Sequence, residues 1–160
     1  MGFATHLGPW LLGTVKDTTG TTAGTIRNVG ACPVIQTKTV AYGDTTAQTQ
    51  LAALPAGAYI QNVQYVISTA YTTTNPTFTI YVNGTAISAA VLIASPAAGA
   101  TGVASIPLGT TNPGLVLNVG STDAIVSFTQ SNGGGGTGAG TLVIAYVVRN
   151  SDGSSVPASA

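Results

Sequence analysis

Charge is what this 160-residue chain has least of: charged residues make up 5% of it, and formal net charge at pH 7 is zero. Glutamate is absent, and the charges are Lys16, Lys38, Arg27, Arg149 and four aspartates. A nucleic-acid binder neutralises phosphates with a basic patch. Four cations spread from position 16 to position 149 do not make one, and the same shortage argues against an anionic membrane surface. One cysteine, Cys32, excludes an internal disulfide, and beside Pro33 it reads as a small buried apolar residue. One histidine and no carboxylate clusters leave no set of metal ligands, so neither a metal nor a cofactor is expected. No apolar run is long enough to span a bilayer as a helix: the longest, 139–148, is half of the about 20 residues required. The N-terminus lacks the basic region of a signal peptide and breaks its apolar run at Gly8-Pro9. It also misses the myristoylation pattern, with His6 where Ser or Thr is required. The chain therefore reads as one that stays in a cytoplasm, or in something assembled there.

Good helix formers are scarce as well, whereas Thr, Gly, Ala and Val dominate and hydrophobic residues reach 44%. That balance excludes disorder and favours strands. The clearest element is Thr77 to Ala94, where Asn83-Gly84 separates two runs rich in β-branched and aromatic residues. Asn-Gly suits a two-residue type I′ turn, which needs positive φ at both positions. The turn sets Val82 against Thr85, Ile80 against Ile87 and Phe78 against Ala89. Alternation then places Phe78, Ile80, Val82, Ile87, Ala89 and Val91 on one face, with Thr77, Thr79, Tyr81 and Ser88 on the other.

Further strands are predicted over 34–42, 48–54, 58–70, 103–108, 115–119, 123–130 and 141–149. In 58–70, Val63, Tyr65 and Ile67 share a face, but Ile60 falls on the opposite one, which predicts a bulge at Gln61-Asn62 or a strand that changes sheets there. In 123–130, Ala124, Val126 and Phe128 share a face. The segment 141–149 is apolar on both faces, as for a central strand covered on each side. About eight antiparallel strands with regular turn signals predict an all-β, jelly-roll-like sandwich. Its domain spans 34–150, between an extended N-terminal arm (1–33) and a flexible tail (151–160).

The arm carries Phe3, Leu7, Trp10, Leu11 and Leu12 without clean periodicity, followed by a Gly/Thr tether. Fully extended, it reaches roughly 100 Å. It either folds back over its own sandwich or packs its apolar residues onto another subunit. In 141–149, Val143, Ala145 and Val147 oppose Leu142, Ile144, Tyr146 and Val148, so one set needs cover from outside the subunit core. Val143, Ala145 and Val147 are therefore the candidate oligomer interface, in a chain whose low charge already suits a permanent assembly.

Catalytic chemistry finds little support. His6 has no recognisable partner, and Asp17, Asp44, Asp123 and Asp152 sit in or beside predicted turns, where Asp caps backbone groups. Gly133 to Gly138 matches GxGxxG by letter, but a strand rather than a helix follows it. Asn83-Gly84-Thr85 matches a glycosylation acceptor within a tight turn and without a secretion signal. The six tyrosines could stack on sugars, but core or interface packing is their expected use.

The opening MGFATHLGPWLLGTVKDTTGTTAGTIRN resembles the start of small virion structural proteins of tailed bacteriophages, cyanophages and marine phages especially. LPAGAYIQNVQYVIS, FTIYVNGTAI and GTLVIAYVVR are similar to the β-sandwich domains of such proteins. The resemblance implies a non-enzymatic head decoration (cement) protein, often a trimer, bound to the major capsid protein on the outer surface of the head. Assembly would take place in the host cytoplasm. The alternative is a fibre or knob module that contacts host glycans.

Overall fold

The structure is a computed structural model that describes residues 33–42, 44, 47–72, 76–93, 99–131 and 136–148. Two antiparallel sheets pack face to face. One has the order β1 (Pro33–Ala41), β9 (Ala139–Val147), β3 (Tyr59–Thr69), β7 (Gly102–Ile106). The other has β2 (Thr49–Leu54), β8 (Ala124–Ser131) and β4 (Thr77–Val82), with β5 (Thr85–Ala86) and β6 (Val91–Leu92) both against β4. Outside the β4–β5–β6 run, each step along the chain crosses from one sheet to the other. The antiparallel β-sandwich expected from alternation is what forms, with one five-residue helix among the described residues.

Side chains alternate along each strand, so each sheet offers one apolar face to the other. From the first sheet come Val40, Ile60, Val63, Tyr65, Ile67, Leu142 and Ile144; from the second, Leu54, Phe78, Ile80, Val82, Val126 and Phe128. The rings of Tyr65 and Phe78 meet across the layers at 4.7 Å, and Phe78 meets Phe128 edge-on at 5.9 Å. Small residues make room for them. A Cβ on Gly140 would lie 2.6 Å from Tyr65 Cζ, and one on Gly138 would lie 2.6 Å from Tyr71 Cγ. Tyr65 thus lies against bare backbone of β9 at Gly140, and Tyr71 against the bare backbone of Gly138 just before it. Their hydroxyls meet at 2.6 Å, and Gln130 Nε2 donates to Tyr71 OH at 3.5 Å. Burial, as the largest cause, pushes both phenols above their ordinary value.

The bulge expected at Gln61-Asn62 is present as a register shift between Ile60 and Asn62, and it returns Ile60 to the core face beside Val63. The type I′ turn is present too, with φ of 47° at Asn83 and 80° at Gly84 and with Val82 opposite Thr85. Asn83 is stitched to β8: its N–H donates to Ile125 O, and its Oδ1 accepts from Ile125 N at 2.8 Å.

Two expectations are corrected. Phe78 pairs with Val91 and not with Ala89, and Ser88, not Ala89, turns inward. Ser88 Oγ accepts the Ile80 N–H at 2.9 Å, in place of a ladder carbonyl. The freed groups of this segment bond to the 109–112 loop: Ala89 N donates to Thr110 Oγ1, and Ala86 O accepts from Thr111 and Asn112. Of residues 115–119, expected as a strand, 115–117 instead lie in helix α1 (Pro113–Leu117), and Asn118 ends it in an extended conformation. Proline at the first helical position has its φ already set for a helix, and its missing N–H is not needed there. Leu115 N donates to Asn112 O, closing the turn locally.

Candidate interaction surface

The candidate surface is the outward face of the first sheet, and register assigns its residues. Across β1, β9 and β3 the rows are Pro33–Val147–Tyr59 and Ile35–Ala145–Asn62. Across all four strands they are Thr37–Val143–Gln64–Ser105 and Thr39–Thr141–Val66–Val103. Ile35 is 63% exposed and Val103 53%, at opposite edges of the sheet. Val143, Ala145 and Val66 between them are half-buried. The predicted interface residues therefore divide: Val143 and Ala145 are partly open, whereas Val147 is 5% exposed and already covered within the chain. Pattern reasoning did not single out Ile35 and Val103. The signal was available in alternation, since both lie on the non-core positions of their strands.

The outward face of the second sheet is different in kind. Thr77, Thr79, Tyr81, Ser127, Thr129 and Ser131 lie side by side there, with Tyr81 OH 3.3 Å from Thr129 Oγ1. One side of the sandwich thus offers aliphatic residues among threonines, and the other a hydroxyl-rich surface that also carries Ile125, 44% exposed. Exposed apolar groups gathered on one face of an otherwise closed domain mark a place for a protein partner.

Charge contributes little to either face. Lys38, Asp44 and Asp123 are the charged side chains among the described residues. Both carboxylates serve backbone groups: Asp44 Oδ2 accepts from Ala41 N at 2.7 Å, and Asp123 Oδ1 from Ala56 N at 3.1 Å. Asp44 caps its own turn, the use expected of it, whereas Asp123 bonds the distant turn at Ala56. Among the described residues no group of three His, Cys, Asp or Glu could hold a metal, and no helix is long and apolar enough to cross a membrane. Of the six tyrosines, Tyr65, Tyr71 and Tyr146 are buried, as core packing requires; Tyr42, Tyr59 and Tyr81 are half-buried. Tyr146 OH accepts from Gln36 Nε2 at 2.7 Å, and Gln36 also donates to Ala53 O, tying β1 and β9 to β2 at the rim. Phe3, Leu7, Trp10, Leu11 and Leu12 lie outside the described residues, as do His6, Cys32 and the 151–160 tail.

No family model and no curated protein matches the chain. Among solved structures, it is similar to a chain of the acidic stable capsid structure of Helicobacter pylori bacteriophage KHP30. That match has a TM-score of 0.46 and 12% identity, and covers 74% of this chain and 90% of that one. It is also similar to a chain of the cyanophage Pam1 capsid asymmetric unit, with a TM-score of 0.48 and 19% identity, over 85% of this chain and 99% of that one.

Proposed function

We propose that the protein is a non-enzymatic virion structural protein that decorates the outer surface of a tailed-phage head and stabilises it. The observation that carries this reading is the outward face of the first sheet, where Ile35, Val66, Val103, Val143 and Ala145 lie uncovered or half-covered on a domain that has already closed its own core. The N-terminal resemblance to small phage virion proteins supports the same reading, and the alternating strand order supports the jelly-roll assignment.

In this reading the sandwich forms a homo-oligomer, a trimer as the resemblance implies, and the major capsid protein is its partner. Residues 1–33 anchor it. Phe3, Leu7, Trp10, Leu11 and Leu12 supply apolar contacts, and the Gly/Thr segment behind them is a tether that holds domain and anchor at high effective concentration. An indole at the centre of an interface commonly contributes about 2 kcal/mol or more. Deleting residues 2–15, or Trp10→Ala, is therefore expected to strip the protein from gradient-purified particles while the sandwich stays folded. A truncated chain that co-sediments with particles as fully as the intact one would place the anchor elsewhere.

A further inference from the structure

We propose that two copies of the chain join antiparallel along the outer edge of β1, with Thr37 of each on the twofold axis. This contact does not depend on the capsid reading; a twofold pair is separate from the trimer's own contacts and would join subunits of two different trimers. It rests on how each sheet edge is finished.

An edge strand with unpaired N–H and C=O groups is a template for another strand. The edges of the second sheet are spoiled for that use. β2 shifts register between Gln50 and Ala52, and Gln36 takes the Ala53 carbonyl. β5 stops at Ala86, where Thr111 and Asn112 occupy the carbonyl. In the first sheet β7 runs for five residues. β1 runs for nine, in unbroken register with β9.

Antiparallel pairs alternate between bonded and non-bonded positions. Tyr42 N donates to Gly138 O, so Val34, Gln36, Lys38 and Val40 are the positions bonded to β9. Ile35, Thr37, Thr39 and Ala41 point their backbone groups away from it. Ala41 is sealed on both counts: Asp44 N donates to its carbonyl at 3.1 Å, and Asp44 Oδ2 accepts its N–H at 2.7 Å. At the other end Pro33 has no N–H to give. Among the described residues the open window is therefore Ile35, Thr37 and Thr39, and it is symmetric about Thr37.

That symmetry selects a second β1 as the occupant. In the Thr37-centred register, Ile35 faces the other copy's Thr39, Lys38 faces Gln36, and the two Thr37 residues face each other. β-Branched and Thr–Thr cross-strand pairs of this kind stabilise sheets. Centring on Lys38 instead would set two like charges opposite each other. Centring on Gln36 would place Pro33, without a donor, opposite Thr39. The Thr37 register also brings the outward faces of two first sheets into one continuous surface.

Cysteine cross-linking in full-length protein with Cys32→Ser tests the contact and its register. In a bonded antiparallel pair the two Cα atoms at position 37 lie about 5.5 Å apart, within the span of about 4.4–6.8 Å that a disulfide bridges. Mild oxidation of Thr37→Cys is expected to convert most of the chain to a covalent species of twice the mass. Ile35→Cys alone is expected to stay uncross-linked, because four residues of offset separate the two copies by about 14 Å. A mixture of Ile35→Cys and Thr39→Cys chains should cross-link. Thr37→Pro removes only an outward donor and should abolish the twofold contact in sedimentation without changing the circular-dichroism spectrum. Thr37→Cys that cross-links no better than Ile35→Cys overturns the proposal; it is also the result expected if the residues before Pro33 cover this edge.

Discussion

At the scale of single residues, the tyrosine pair inside the sandwich shows how small residues elsewhere in the chain decide what a large one can do. Tyr65 and Tyr71 meet hydroxyl to hydroxyl only because Gly140 in β9 and Gly138 just before it leave their rings room. A methyl at Gly140 would run into Tyr65 and the Val66 carbonyl, both fixed by the core. Gly140→Ala is expected to destabilise by about 1–3 kcal/mol, the usual cost of overpacking, as read by chemical denaturation. Tyr71→Phe takes the partner from a buried hydroxyl and is expected to cost about 1–3 kcal/mol. Burial raises both phenols above the ordinary value of 10.0. The folded chain therefore holds these protons after the unfolded chain has released them. Their contribution is whole below about pH 10 and declines as pH rises beyond it. Thermal melts from pH 8 to 11 should show midpoints falling at the alkaline end, and falling less in Tyr71→Phe.

At the scale of elements, what was legible in the sequence was what is specified locally. Asn83-Gly84 needs positive φ wherever it makes a hairpin, and Ile60 out of phase with Val63 shows the β3 bulge before any partner strand is known. Gly84→Ala should cost roughly 1–2 kcal/mol, the penalty for a side chain in the left-handed region, and denaturant titration measures it. What was not legible is what distant segments decide. Ser88 turns inward because Ile80 lacks a strand acceptor there and the 109–112 loop holds the backbone on either side. Leu115 to Val119 has the apolar content of a strand, but Asn112 and Pro113 wind it into a turn of helix. The glycine-rich segment before β9 matches a dinucleotide fingerprint by letter alone. Its last glycine, Gly138, is the bed of a buried ring, a role visible only once Tyr71 is placed against it. For the candidate surface, Val143 and Ala145 were legible from the two-sided apolar pattern of β9. Val147 follows the same pattern but is covered within its own chain, which alternation alone does not reveal.

At the scale of the whole molecule, the sandwich combines a closed core, few charges and an outward face of the first sheet with exposed aliphatic residues at Ile35 and Val103. A carboxylate at Ala145, half-buried in the middle of that face, meets no cation among the residues in its row. Ala145→Asp is expected to lower the oligomeric mass in sedimentation while the β-type circular-dichroism spectrum persists. A wild-type chain that sediments as a folded monomer at micromolar concentration would contradict an oligomer of any kind. Attachment through apolar burial should also survive high salt, because screening weakens charge contacts alone. Washing particles in molar salt and assaying the bound fraction checks this. The most direct test of the account is the number and position of copies on purified virions, by quantitative mass spectrometry together with an electron-microscopy map. A decoration protein predicts density repeating over the outer capsid lattice, with a copy number that matches the lattice sites. Density confined to the tail or to a single vertex, with a correspondingly small copy number, would contradict it.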